Sequence, residues 1–162
     1  MGGCGRGAAG AAGDWRVIVQ VGGGALAACA GAGLGSHVQL DTVQAEGCAP
    51  LAEAWSRIPD FDHPERHWSR VMRAWPDPHS LADGILDDET YDWIAAVSVM
   101  HESGGSPIVA GEADIRRAHE LATAAGYNVS PTGSAGLAGL LTIGGQLKRE
   151  QRVIVIMSGV AR

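Results

Sequence analysis

The residues whose types and spacing suit chemistry are few. Val21-Gly22-Gly23-Gly24-Ala25-Leu26 follows a short β-branched run, Arg16–Val21, and leads into a stretch of small residues, Ala25–Gly31. Glycines let the backbone come close to an anion, and the start of a following helix offers free N–H groups and a positive dipole end. The pattern therefore predicts a phosphate-sized anion cradle, with a ligand-free strand-to-helix turn as the plain alternative. The dinucleotide spacing GxGxxG is met by Gly22 and Gly24, but Ala27 stands in the last glycine's place. No ribose-binding acid is evident either, so a small nucleotide-binding Rossmann domain matches less well.

Ser158 ends the final apolar run, Val153–Met157. Ligands collect at the carboxyl ends of strands in parallel α/β sheets, where a hydroxyl can meet a ring nitrogen or a substrate. A turn serine before Gly159 is the commoner role for such a residue. Glu46 follows a second run, and Asp83-Gly84 falls in a loop; each can face a cleft or stand as an exposed carboxylate. His63 and His67 have the spacing of metal ligands on a helix, but Pro64 lies between them, no third ligand is evident, and HExxH is absent. His37, His79, His101 and His119 are isolated. Lys148 is the only lysine, set in the charged run Lys148-Arg149-Glu150-Gln151-Arg152.

The elements that must position these groups alternate. Strands are expected near residues 17–21, 37–43, 107–110 and 153–157. Helices are expected over Ala25–Gly31, Pro50–Arg57, Glu65–Trp75, Asp87–Met100, Glu112–Ala125 and Gly133–Leu147. Asp87-Asp88-Glu89 suits a helix start, and Gly126 suits a helix stop. This order implies a parallel sheet covered by helices on both faces. Residues 1–14 are rich in Gly and Ala and are not expected to pack, which leaves 15–162 as the folded part.

Composition narrows the function. The chain has 162 residues, enough for one domain with its own core. Its 24 glycines are about twice the usual share of roughly 7%, which suits backbones packed closely together. A net charge of −6 without a basic stripe argues against nucleic acid. The apolar stretch Val17–Leu34 is broken by glycines, which argues against a membrane span. Cys4, Cys29 and Cys48 have no CxxC spacing and read as free thiols in a reducing, cytoplasmic setting.

Taken in order, these segments resemble one family. The run Val21–Leu26 is similar to the glycine-rich phosphate loop of fold-type II pyridoxal-phosphate (PLP) enzymes of the threonine synthase and threonine dehydratase type. Val43-Gln44-Ala45-Glu46-Gly47-Cys48 resembles the strand end that follows it. Ser80-Leu81-Ala82-Asp83-Gly84-Ile85 resembles their ADGI segment, and Gly111-Glu112-Ala113-Asp114-Ile115 a helix start. Pro131-Thr132-Gly133-Ser134-Ala135-Gly136-Leu137-Ala138-Gly139 is similar to their later small-residue helix. Val153–Gly159 resembles their last strand with its pyridine-contacting serine. The match spans roughly residues 15–162.

The resemblance implies a PLP cradle. In it the backbone N–H groups of Gly22, Gly23, Gly24 and Ala25 hold the phosphate, and the Ser158 hydroxyl meets the ring nitrogen. A neutral serine there favours β-elimination and replacement on an amino-acid substrate over transamination. The family's Schiff-base lysine lies N-terminal to the glycine loop, where this chain has no lysine; Lys148 stands in a charged context unsuited to a lowered pKa. The chain is therefore expected to be the C-terminal part of such an enzyme, completed by a missing N-terminal half or a homo-oligomer and inactive by itself. A non-catalytic binding module of the same fold is the alternative.

Overall fold

The computed structural model describes residues 15–160. The segment 1–14, expected not to pack, lies outside the described residues. Four strands form one sheet: β1 (Trp15–Gln20), β2 (Gln39–Ala45), β3 (Pro107–Ala110) and β4 (Arg152–Val155). Their order is β3-β2-β1-β4, and every pairing is parallel. All four carboxyl ends therefore point to the same edge, so residues just after β1 and just after β4 can meet there.

Helices α1 (Ala25–Leu34), α2 (Pro50–Arg57) and α4 (Trp93–Ser103) cover one face, and α5 (Glu112–Ala124) and α6 (Pro131–Ile143) cover the other. A further single turn, α3 (Trp68–Val71), packs Val71 into the first side. Alternation along the strands divides the core. Val19, Val21 and Leu40 join Trp93, Ala96 and Met100, whereas Ile18, Val43 and Ile108 join Ile115, Ala118, Ala135 and Ala138. The central strands β1 and β2 are largely buried on both faces, as a parallel sheet between two helical layers requires, while the edge strands expose Val109 of β3 and Ile154 of β4. This is the three-layer α/β architecture expected from the sequence.

Small residues set the helix distances. A Cβ on Gly31 of α1 would overlap the Val99 side chain of α4, and one on Gly139 of α6 would overlap Val43 of β2. The abundant glycine is thus partly a packing device. Buried polar groups are matched as well. Gln44, 1% exposed, accepts hydrogen bonds from the N–H groups of Leu51 and Ala52 at 2.9 and 3.2 Å, and donates to Thr90 Oγ1 at 3.2 Å. It supplies acceptors at the start of α2, where Ala49 offers no side-chain cap.

Several boundaries differ from the sequence reading. The second strand runs over 39–45 and the last over 152–155. Glu65–Trp75 is not a continuous helix: Pro64–His67 is a 3-10 turn followed by the single turn α3. The helix expected from Asp87 begins at Trp93, so the acids at 87–89 are not its first turn. The cause is tertiary: Thr90 is fully buried against Gln44, and the Asp92 N–H donates to the Gly23 carbonyl at 2.7 Å, tying residues 87–92 down as a loop. The α6 helix starts at Pro131, capped by the Ser130 side chain, and stops at Ile143.

Candidate functional site

A cavity of about 260 Å³ opens at the carboxyl edge of the sheet. It is lined by Gln20, Gly22, Gly23, Gly24, Ala25, Gly84, Ile85, Thr132 and Ser158. The glycine turn and Ser158, far apart in sequence, are therefore brought together, as is one half of the Asp83-Gly84 pair. The five residues expected to hold a cofactor all face this one cavity.

The glycine turn is shaped for backbone exposure. Gly24 has φ of 103°, a left-handed conformation natural to glycine, and it is the N-cap of α1 with no side-chain cap. Among the described residues the N–H groups of Gly22, Gly23, Gly24 and Ala25 form no hydrogen bond. Successive free donors at a helix start are able to cradle an anion. One feature opposes an anion: the Asp87 carboxylate lies directly over Gly22, where a Cβ would overlap it. The charges of this segment also reach nearby groups. Burial, and then Asp87 and Asp88, push the Cys48 thiol up to about 11. Asp88 foremost holds Tyr91 above the ordinary phenol range.

Ser158 is held from the opposite side. Its N–H donates to the Gly133 carbonyl at 3.2 Å, and the Ser130 N–H donates to the Gly159 carbonyl at 3.3 Å. This close seating on α6 is possible because Gly133 lacks a side chain; a Cβ there would overlap the carbonyls of Ser158 and Gly159. The third wall comes from the loop at 83–85. Gly84 N–H donates to Thr132 Oγ1 at 2.8 Å, and Thr132 Oγ1 donates to Asp83 Oδ1 at 3.3 Å. Gln20 and Thr132 are not among the candidates the sequence singles out. A polar residue closing an otherwise β-branched buried run was the available signal for Gln20.

Other candidates lie elsewhere. Glu46 Oε1 accepts the Glu112 N–H at 2.9 Å and so caps α5, whose N-cap Gly111 has no side chain. His63 Nδ1 pairs with Glu65 at 3.3 Å, while His67 packs against Phe61 with ring centroids 5.1 Å apart, so the two do not converge. Among the described residues no cluster of three or more His, Cys, Asp or Glu could hold a metal. Lys148 is exposed and precedes β4, whereas Ser158 follows it. The strand thus separates the lysine from the cavity, placing it at the amino edge of the sheet. No helix among the described residues is long and apolar enough to cross a membrane.

A parallel sheet between helical layers, with a glycine turn and a serine converging on a cavity at its carboxyl edge, defines a three-layer α/β class. The chain belongs to the pyridoxal-phosphate dependent enzyme family, whose profile it matches over residues 8–159. Similar solved structures include a threonine deaminase from T.th., with TM-score 0.71 and 22% identity over 91% of this chain and 50% of that one. A maize serine racemase gives 0.68 and 19% over 91% and 43%, and a serine racemase from Dictyostelium discoideum gives 0.68 and 18% over 90% and 43%. The chain spans half or less of the length of these proteins, and at such identity the likeness is one of fold. No curated protein matches the chain by sequence.

Proposed function

We propose that this chain is the cofactor-holding, C-terminal part of a PLP-dependent lyase or synthase that acts on amino acids by β-elimination or replacement. Within it, the N–H groups of Gly22, Gly23, Gly24 and Ala25 hold the phosphate, and the Ser158 hydroxyl hydrogen-bonds the ring nitrogen. The observation that carries the reading is the convergence of four unbonded backbone donors and one half-buried hydroxyl on a single cavity. Bound PLP would supply an electron sink for bonds at an amino acid's α-carbon. The chain's own residues anchor and orient: the cradle fixes one end, Ser158 the other, and the 83–85 loop with Thr132 forms the side wall.

The lysine that such chemistry needs lies outside this chain in this reading. Lys148 is solvent-exposed at the amino edge, without the burial that lowers an amine's pKa. That same observation favours, as a second reading, a binding module of this fold without catalysis. Both readings require non-covalent PLP binding by the chain. The test is PLP titration of the purified chain by tryptophan fluorescence and equilibrium dialysis, then borohydride reduction and peptide mapping. Saturable, dialysable binding that is weakened several-fold in Ser158→Ala, with no label on Lys148 and no amino-acid turnover, is the expected result. A folded chain that binds no PLP, or a reduced adduct on Lys148 that vanishes in Lys148→Ala, overturns the proposal. A lysine-bearing partner chain that restores turnover separates the enzyme reading from the binding module.

A further inference from the structure

Gln20 closes β1 with its side chain 4% exposed, on the face of the sheet covered by α6. Its Nε2 donates to Ser158 Oγ. Its Oε1 is buried with no hydrogen-bond partner among the described residues and lies beside Gly136, 3.2 Å from where a Cβ would stand. A buried amide oxygen without a donor is costly, and evolved interiors seldom keep one without a purpose.

We infer that Gln20 is a positioning residue that fixes Ser158 as a hydrogen-bond donor toward the cavity. A serine hydroxyl has one hydrogen and two lone pairs. With the Gln20 N–H occupying a lone pair, the hydroxyl hydrogen is not consumed by Gln20 and is left to point at a ligand acceptor. The site then selects a ring nitrogen that carries a lone pair and disfavours one that carries a proton. Without Gln20, the Ser158 hydroxyl could accept as readily as donate, and the selection would lapse. This inference rests on PLP as the ligand of this cavity, and it concerns the protonation state in which that ligand's ring is held.

The experiment compares the affinity of the full chain for PLP and for its deaza analogue, in which a C–H group replaces the ring nitrogen. Wild type is expected to prefer PLP by about ten-fold, the value of one net hydrogen bond. In Gln20→Glu the carboxylate accepts the Ser158 O–H and leaves Ser158 only acceptor lone pairs for the ring, so nitrogen NMR of PLP labelled at its ring nitrogen is expected to change from a neutral signal in wild type to a protonated one, while the fold is retained by circular dichroism. A ring-nitrogen signal that stays neutral in folded Gln20→Glu overturns the role of Gln20 and leaves PLP binding intact. Absence of PLP binding to wild type overturns the cofactor reading and this inference with it. Should Gln20→Glu fail to fold, the same comparison is made with Gln20→Met, which removes the N–H donor at similar size. A protonated fraction that rises in the variant supports the assignment, and a signal equal to that of wild type overturns it.

Discussion

Gly133 gives the sharpest contest between local and tertiary effects. It lies in the first turn of α6, and alanine in place of a helical glycine ordinarily stabilises by about 1 kcal/mol. Here the added Cβ would overlap two backbone carbonyls, those of Ser158 and Gly159, which cannot move aside as a flexible side chain would. Overpacking of this kind costs about 1–3 kcal/mol. Displacing the 158–159 segment also loosens the Ser158 N–H bond to Gly133 and the Ser130 N–H bond to Gly159, at about 1 kcal/mol each. The tertiary cost exceeds the helical gain, for a net loss of about 2–4 kcal/mol, or about 4–16 °C in a domain of this size. Gly33 in α1 is the control, because a Cβ there meets nothing within 4 Å. Gly33→Ala should raise the melting temperature by about 1–3 °C. Thermal unfolding followed by circular dichroism reads both. A Gly133→Ala protein as stable as Gly33→Ala would show that the seating of Ser158 on α6 is not as described.

Other consequences can be measured on the same protein. Asp87→Asn should tighten PLP binding several-fold, and the gain should shrink in high salt, because the carboxylate over Gly22 repels an anion in the cradle; an unchanged affinity would place the phosphate elsewhere. Gln44→Leu should cost about 2 kcal/mol, since it strips acceptors from the Leu51 and Ala52 N–H groups and a donor from Thr90, and urea denaturation would detect it. Burial first of all raises the carboxyl of Asp41 above 3.8, against the opposing hydrogen bond from Ser106 N–H and the Arg16 ion pair. A carboxyl raised in the folded state contributes stability in its protonated form, which is lost as pH climbs through its folded value. The melting temperature of Asp41→Asn relative to wild type should therefore rise as pH increases above 3.8 and should level off once Asp41 is ionised. Cys29 is exposed and should react with a maleimide at neutral pH in a Cys4→Ser background, whereas Cys48, buried with its thiol pushed up to about 11, should react only on unfolding.

What was legible in the sequence was what short-range physics decides. The runs at 17–21 and 107–110 are apolar and bounded by turn residues, so they read as buried strands, and the parallel order followed from the helices between them. The boundaries that moved are those set by distant partners. Asp87-Asp88-Glu89 satisfies the local rule for a helix start, yet the burial of Thr90 against Gln44 and the Asp92 bond to Gly23 hold that segment as a loop over the glycine turn. Pro59 and Pro64 sit in the first positions of the 3-10 turns at 58–60 and 64–67, and of the helix expected over Glu65–Trp75, which itself holds no proline, only the single turn Trp68–Val71 forms. The glycine turn and Ser158 were legible because each carries its own local signature. For Gln20 the sequence offered only a polar residue within a buried β-branched run; its partners Gly136 and Ser158 are brought to it by the folded sheet.

The placement of these partners ties binding to packing. The α6 helix approaches the sheet closely because Gly133, Gly136 and Gly139 present no side chains to Ser158, Gln20 and Val43. The first of these contacts seats the serine, the second borders the orphaned oxygen of Gln20, and the third closes the core. A change that pushes α6 outward would therefore disturb Ser158 and Gln20 together, even if it touched neither. The glycine cradle, by contrast, is held by β1, α1 and the 87–92 loop on the other side of the cavity. Damage to α6 should then fall on recognition of the ring and spare recognition of the phosphate. Inorganic phosphate should compete with PLP equally well in wild type and in Gly133→Ala, while the preference for PLP over its deaza analogue should fall in the variant. Equal loss of both would mean that the two ends of the site are not carried by separate faces of the sheet.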